Sequence, residues 1–158
     1  MTVQGCHCEE QSDEAISGRL DAAIIVVHSL VQATAALIAA ARADRPVVLA
    51  SAPDAGGYGG PGWFGALIAA ARETVPQARF AALLDCGDNV GAALAAIRAE
   101  IEGVVFTGRA DVTRRLADIA GQHGVRLVTD RPGAAFDLGE DFFASQESLE
   151  QLCIDLLT

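Results

Sequence analysis

Two adjacent residues, Asp85 and Cys86, could carry chemistry, and they follow the apolar run 79–84. An aspartate can act as a general acid or base, and a cysteine can act as a nucleophile or bind a soft metal. A reactive cysteine needs a base or a positive neighbour that lowers the pKa of its thiol; His28 and Arg109 are the candidates. We therefore predict Asp85 and Cys86 as catalytic residues, with Cys86 also a candidate metal ligand.

At least two polar side chains follow each of five apolar runs. In parallel α/β folds, ligands bind at the carboxyl ends of the strands. Loops are polar in any case and helices need caps, so each residue alone has a structural explanation, whereas the repetition after five runs favours a site. The predicted ligand-binding residues are His28, Ser29, Ser51, Gly56, Gly57, Thr107, Gly108, Arg109 and Asp130.

Two further motifs carry weaker signals. The glycine-rich stretch 56–60 lets backbone N–H groups approach a ligand, but it lacks the Gly-Lys-Ser/Thr of a P-loop and the spacing of a dinucleotide fingerprint. It is interpreted either as a mobile flap over a cleft or as a loop without function. Cys6-His7-Cys8 offers two thiolates without a second pair, which is an incomplete metal site, and a disordered arm is the favoured interpretation.

The elements that must position these residues alternate along the chain. Short runs rich in β-branched residues predict buried strands, and stretches of helical periodicity separate them. Strands are predicted at 22–27, 46–50, 79–84, 103–106 and 125–128, and helices at 9–19, 30–43, 63–74, 89–101, 110–123 and from Ser145, as N-cap, through Leu157. Residues 51–62 and the segment after the fifth strand are predicted as loops. Gly124 is predicted to end the helix before the fifth strand.

This alternation is the signature of a parallel sheet with right-handed crossovers. We predict a flexible arm at 1–8 and a single α/β domain at 9–158, built as a parallel sheet of five βα units. The sheet is expected to be either a partial TIM barrel or an open doubly wound sheet.

The charge balance restricts the partners. The chain has 21 acidic and 11 basic residues and a net charge of −10, which disfavours nucleic acid. All basic residues are arginines, so an anionic substrate would need a local arginine or a helix N-terminus. A signal peptide and a membrane span of about 18–20 apolar residues are both missing from the pattern. The uneven spacing of the four cysteines predicts no disulfide framework and favours the cytoplasm.

The order of motifs resembles the class II (zinc-dependent) ketose-bisphosphate aldolases, a TIM-barrel family. The resemblance extends over nearly the whole chain from residue 9. Its pieces are AAIIVVHSLVQATAAL at 22–37, PVVLAS at 46–51, the small-residue and Tyr loop at 55–58, AALLDCG at 81–87, EGVVFTG at 102–108, HGV at 123–125 and the helix beginning at Ser145. AALLDCG is similar to the family's third-strand motif, usually ALHLDHG.

Within that motif the family's Asp is the general acid/base and the next His binds zinc. Asp85 is retained, and Cys86, which can also bind zinc, stands at the ligand position. Other family positions differ: Leu83 replaces a His, Thr107 replaces the Asp that ends strand four, Val26 replaces an Asn of strand one, and Asp130 is the acidic residue left after strand five.

The family's other zinc histidines and main phosphate-binding loops lie on strands six to eight, beyond the five predicted units. A catalytic zinc needs about three protein ligands, and only Cys86 with His28 or Asp130 could be recruited. We therefore expect no working aldolase from one chain and no resident cofactor, with zinc as the alternative. Five strands cannot close a barrel, so strands one and five should be edges. An open or curled sheet in a homodimer is the predicted solution.

Three functions remain open at this point. The chain could be an aldolase-like domain without aldolase activity that binds a small anionic metabolite or a protein. It could be an aldolase-type lyase of altered metal site, using Asp85 and Cys86. It could also be a structural subunit that completes its barrel by oligomerisation. No membrane partner is expected.

Overall fold

A computed structural model describes residues 22–158 of the chain. The predicted arm at 1–8 with Cys6-His7-Cys8, and the predicted helix at 9–19, lie outside the described residues. Six strands are present: β1 (Ala23–Val26), β2 (Val47–Ala50), β3 (Phe80–Asp85), β4 (Gly103–Val105), β5 (Arg126–Val128) and β6 (Ala135–Asp137). The α-helices are α1 (Leu30–Ala43), α2 (Ala55–Tyr58), α3 (Gly60–Thr74), α4 (Val90–Arg98), α5 (Ala110–His123) and α6 (Gln146–Leu157), with a 3-10 turn at Gly139–Asp141.

The helix boundaries follow local chemistry. The Ser29 side chain accepts a hydrogen bond from the Gln32 N–H and so caps α1, which ends at Asp44 in the left-handed region (φ 50°). Gly124 ends α5 with φ 67°. The Ser145 hydroxyl accepts from the Ser148 N–H at 3.2 Å at the start of α6. The predicted bounds of α1 and α5 and the predicted caps Gly124 and Ser145 are therefore confirmed.

All six strands run parallel, in the order β5-β4-β3-β2-β1-β6. The predicted α/β fold of successive βα units is confirmed. Two predictions about connections are wrong: residues 51–62 contain α2 and the first turn of α3, and the segment after β5 contains the extra strand β6. Because β6 pairs with β1 from Ile24 to Val26, β1 is an internal strand and not the predicted edge, and within residues 22–158 the edges are β5 and β6.

The helices cover one face of the sheet. Alternate strand residues such as Ile25, Leu49 and Leu84 lie in the large core that includes the helices. The opposite set forms a second, smaller cluster of strand residues: Val26, Val48, Ala50, Leu83 and Val105. This division follows from the two-residue period of a strand, and from crossovers of one hand between consecutive neighbours.

The short connection between the two edges requires a curled sheet. Neighbouring strands lie about 4.8 Å apart, so the outer strands of a flat six-stranded sheet would be about 24 Å apart. The chain from Val128 to Ala135 could reach about 25 Å only if fully extended, and it contains a turn at residues 133–134. The sheet therefore curls, and the crossing segment, residues 129–134, spans its concave face, which no helix of residues 22–158 covers.

Candidate functional site

Asp85 ends β3 on the concave face, with 6% of its surface exposed. Its Oδ1 accepts hydrogen bonds from the N–H groups of Asp54 (3.1 Å) and Gly87 (2.9 Å). Arg131 donates to both carboxylate oxygens, from Nε to Oδ2 at 2.8 Å and from Nη2 to Oδ1 at 3.1 Å. This is the two-pronged geometry of a strong guanidinium–carboxylate pair, so the charge and the acceptor sites of Asp85 are already occupied.

Arg131 belongs to the crossing segment. It is a site residue that the sequence did not predict. Its Nη2 also donates to Asp54 Oδ1 at 2.9 Å, and its side chain is 43% exposed. The hydrogen bond to Asp85 raises the pKa of the Arg131 guanidinium; desolvation opposes this, and the charges of Asp85 and Asp54 reinforce it. Arg131 therefore fastens the crossing segment to β3 and to the loop after β2.

The backbone around Asp85 is shaped for these contacts. Asp54 and Gly87 both adopt positive φ, 62° and 54°, which turns their N–H groups toward one carboxylate oxygen. A Cβ at Gly87 would collide with Asp54 Oδ1, so a larger residue would move that carboxylate away from Arg131, and the left-handed conformation also favours glycine. Ser51, which is 3% exposed, accepts the Asp85 N–H on its hydroxyl at 2.9 Å.

Cys86 lies on the other face of the sheet. It is 1% exposed within the helix-side core, and a Cβ at Gly56 would collide with its sulfur. Burial, and secondly the charge of Asp85, raise the pKa of the Cys86 thiol to about 12. The thiol is therefore neutral and packed against α2, a placement that does not favour the predicted roles of nucleophile or metal ligand.

Both cysteines of the described part should be unreactive in the folded protein. Burial also raises the pKa of Cys153 to about 11, and only the thiolate reacts rapidly. In a Cys6→Ser/Cys8→Ser variant we expect negligible labelling by Ellman's reagent under native conditions near pH 8. Both thiols should react after unfolding in guanidinium chloride. Rapid native labelling assigned to Cys86 by peptide mapping would contradict this burial.

His28 pairs with Asp137 where β1 and β6 end. His28 Nε2 lies 2.6 Å from Asp137 Oδ1, which also accepts the Gly139 N–H at 2.8 Å. Gln32, which is fully buried, accepts the His28 N–H on Oε1 and donates from Nε2 to the Leu138 carbonyl, both at 2.7 Å. These contacts secure β6 to β1 and bring His28 to the same edge of the sheet as Asp85.

The His28–Asp137 pair should make the stability of the fold depend on pH in the acid range, through the Asp137 carboxyl. Partial burial raises the pKa of the Asp137 carboxyl, but the hydrogen bonds from His28 and Gly139 and the charge of His28 outweigh it and lower the pKa. A lowered folded-state pKa stabilises the fold above the unfolded-state value of about 3.9, and this stabilisation is lost as the pH falls through the folded-state value. The stability advantage of the wild type over Asp137→Asn should therefore shrink between about pH 5 and pH 2.

Urea unfolding at several pH values measures this difference, and Asp118→Asn, at an exposed aspartate on α5, is the matched control. An advantage that stays constant down to the lowest pH would show that Asp137 contributes no acid sensitivity.

The remaining predicted residues do not join one constellation. Ser29 caps α1. Gly56 and Gly57 lie in α2, and Gly108 leaves room for the Phe106 ring. Arg109 pairs with Asp111 at 3.0 Å and is 80% exposed. Thr107 and Asp130 are exposed. The structure thus brings Asp85 and Ser51 together and places His28 at the same edge, whereas Thr107, Arg109 and Asp130 lie on the surface.

A pocket of about 190 Å³ opens between the concave face and the crossing segment. Its apolar wall includes Ile24, Val26, Ala50, Leu83 and Val105, and its polar groups are Ser51, Asp85, Arg131 and Asp137. A larger groove of about 540 Å³ lies on the helix side, between α3 and the α4–β4 turn. That groove contains none of the predicted residues and lies away from the carboxyl ends of the strands, so we take the smaller pocket as the candidate site.

The residues present do not fit a zinc ion. Among residues 22–158, no three His, Cys, Asp or Glu side chains converge into a metal-binding group. The Cys86 sulfur is buried on the helix side, and His28 Nε2 is bonded to Asp137. Catalytic zinc sites need about three converging ligands, so no step of a mechanism is assigned to a metal.

Comparison with known proteins agrees with this geometry at the level of the fold. No family model and no curated protein matches the chain. Among solved structures, it is similar to a protein from Coccidioides immitis provisionally described as a fructose-1,6-bisphosphate aldolase, with a TM-score of 0.59 and 15% sequence identity. The fold is aldolase-like. The match covers 78% of this chain but 51% of the neighbour, so the chain spans about half of that protein's length.

The predicted aldolase-like fold is thus confirmed, and membership of the class II family stays a prediction. A likeness at 15% identity carries the fold and not the activity. Within residues 22–158, no helix combines the length and the apolar character needed to cross a bilayer.

Proposed function

We propose that this aldolase-like domain binds a small, uncharged, hydroxyl-bearing molecule in the concave pocket and does not catalyse aldol cleavage. The observation that carries the proposal is the pocket itself: apolar strand residues on one side, the crossing segment on the other, and carboxylates at the edge. A small number of placed polar groups in an otherwise apolar concavity is the usual composition of a ligand site. A hydroxyl group is a suitable donor to the Asp137 carboxylate, whose hydrogen bonds from His28 and Gly139 both involve Oδ1.

The hydrogen bonding of Asp85 disfavours acid/base catalysis. Its carboxylate accepts four hydrogen bonds, two of them from Arg131. A general base must have a free lone pair within reach of the proton that it removes. Asp85 would first have to lose Arg131, and the Cys86 thiol faces away from the pocket. Binding therefore requires less rearrangement than catalysis.

The charges around the pocket favour an uncharged ligand over the anion that the sequence predicted. Asp85, Asp137 and Arg131 line it, and Asp54 shares the Arg131 guanidinium. The three carboxylates outnumber the two cationic partners, Arg131 and a charged His28, and both partners are already bonded to carboxylates. An added anion would meet net negative charge in a partly desolvated space, where Coulomb repulsion is stronger than in bulk water.

A titration followed by ¹H–¹⁵N NMR tests this assignment. Dihydroxyacetone is the uncharged probe and inorganic phosphate is the anionic one. We expect dihydroxyacetone to shift the amide signals of Asp54, Gly87 and Arg131, with saturation in the millimolar range, and phosphate to leave them unchanged. A Val26→Phe variant, which fills the pocket, should lose the response. Saturable shifts with phosphate at these amides would overturn the assignment to an uncharged ligand.

The absence of aldol cleavage is tested by a separate activity assay. Cleavage of fructose 1,6-bisphosphate, assayed with and without added zinc, should not exceed the rate of an Asp85→Ala variant. Turnover that depends on Asp85 would contradict the non-catalytic part of the proposal.

A further inference from the structure

The large exposed apolar side chains of the described residues gather at one end of the molecule. Eight such side chains are exposed, and seven lie at the carboxyl-end edge of the sheet. Leu30 and Val31 begin α1, and Val90 begins α4. Tyr58 ends α2, which follows β2, and Trp63 lies in the first turn of α3. The eighth, Leu156, lies near the end of α6, away from that edge.

The segment after β6 contributes two of these side chains, and one of them, Phe143, is the most exposed of all eight. Phe142 and Phe143 are 46% and 97% exposed, and their rings meet edge to face with centroids 5.2 Å apart. Single exposed apolar residues are ordinary, whereas several on neighbouring elements are typical of an interaction surface; six of these side chains follow the adjacent strands β2, β1 and β6. We define the rim surface as Leu30, Val31, Tyr58, Trp63, Phe142 and Phe143.

Acidic residues accompany the rim surface. Asp88, Asp130, Glu140 and Glu147 are exposed in the loops and first helical turns of the same edge. The arginines there, Arg109 and Arg131, are both bound to carboxylates. A partner that covers this edge therefore meets apolar groups among uncompensated negative charge.

We propose that the rim surface docks a basic amphipathic segment of another protein, such as a helix with apolar residues on one face and Lys or Arg on the other. Charge complementarity decides this choice. A second copy of a chain of net charge −10 would bring like charges together in a two-fold contact, where the same patch faces itself. Anionic bilayers and nucleic acids would be repelled as well. The proposal does not depend on a ligand in the concave pocket.

The 158-residue chain provides its own reporter, because Trp63 is its only tryptophan and is 42% exposed. The probe is an amphipathic 18-residue peptide of Leu and Lys, and a Leu/Glu peptide of the same pattern is its control. We expect the Leu/Lys peptide to produce a saturable blue shift of Trp63 emission that weakens in high salt. The Leu/Glu peptide should produce none. Equal binding of the two peptides would overturn the proposal.

Phe143→Asp and Leu156→Asp form a matched pair at exposed positions on and off the rim surface. Phe143→Asp should weaken peptide binding by about tenfold or more, because it removes an aromatic anchor. Leu156→Asp, with the same change of charge, should weaken it by less than about twofold. Equal losses would show non-specific attraction and overturn the site. Sedimentation without peptide gives a further outcome: a dimer that Phe143→Asp dissociates would assign the rim surface to a second copy instead.

Discussion

Replacing Asp85 with alanine should lower the free energy of unfolding by about 2–4 kcal/mol, because the change leaves several donors without an acceptor. The N–H groups of Asp54 and Gly87 and the Arg131 guanidinium all bond to this carboxylate. The range lies below that for a fully buried pair, since Arg131 is 43% exposed and water can compensate part of its loss. Urea unfolding followed by circular dichroism measures the change.

In Asp85→Ala, the crossing segment should lose its structure before the rest of the domain unfolds. Hydrogen exchange should show residues 129–134 losing protection first in Asp85→Ala, since Arg131 is their anchor to β3. Asp130→Ala, an exposed neighbour in the same segment, is the control and should change stability by less than about 0.5 kcal/mol. If Asp85→Ala has no greater effect than Asp130→Ala, the Asp85–Arg131 pair does not stabilise the crossing segment.

Gln32→Leu should also destabilise the protein strongly, by about 2–4 kcal/mol, although it places an apolar residue in an apolar core. The variant removes the Gln32 amide, which leaves its two partners, the His28 N–H and the Leu138 carbonyl, unsatisfied. Each such buried polar group costs about 1–3 kcal/mol. Thermal unfolding measures the effect, and β6 should lose amide protection before the central strands.

The matched control is Gln151→Leu. Gln151 is exposed on α6 and donates to Asp155 one turn later, so its replacement should change stability by less than about 0.5 kcal/mol. A neutral Gln32→Leu variant would mean that water replaces the amide between β1 and the residue after β6.

The local sequence pattern was sufficient to predict most of the helices and strands. The bounds of α1 and α5 could be predicted because apolar periodicity, a proline and an αL glycine agree there. β6 was missed because it has three residues, AFD, which are too few to produce an alternation. Its pairing with β1 depends on contacts between distant parts of the chain, which the segment's own sequence does not encode.

The residues of the candidate site also divide into those that the local sequence predicts and those that it does not. Asp85 ends β3 and Ser51 follows β2, so both were predicted from the rule that ligands bind at the carboxyl ends of parallel strands. Cys86 follows Asp85 directly, and the two-residue period of an extended strand already places neighbours on opposite faces; that signal was available and disfavours a joint role. Arg131 could not be selected over Asp130, because the choice depends on how the crossing segment curves back over the sheet.

The position of β6 also determines how such a fold can grow. In a closed eight-stranded barrel the last strand pairs with the first, and here β6 holds that place beside β1. Further βα units therefore cannot be added beyond β6 and still reach β1. They would enter as an insertion between β5 and β6, within residues 129–134, and would displace Arg131 from Asp85. The Asp85–Arg131 ion pair thus holds the crossing segment at the point of the chain where such units would be inserted.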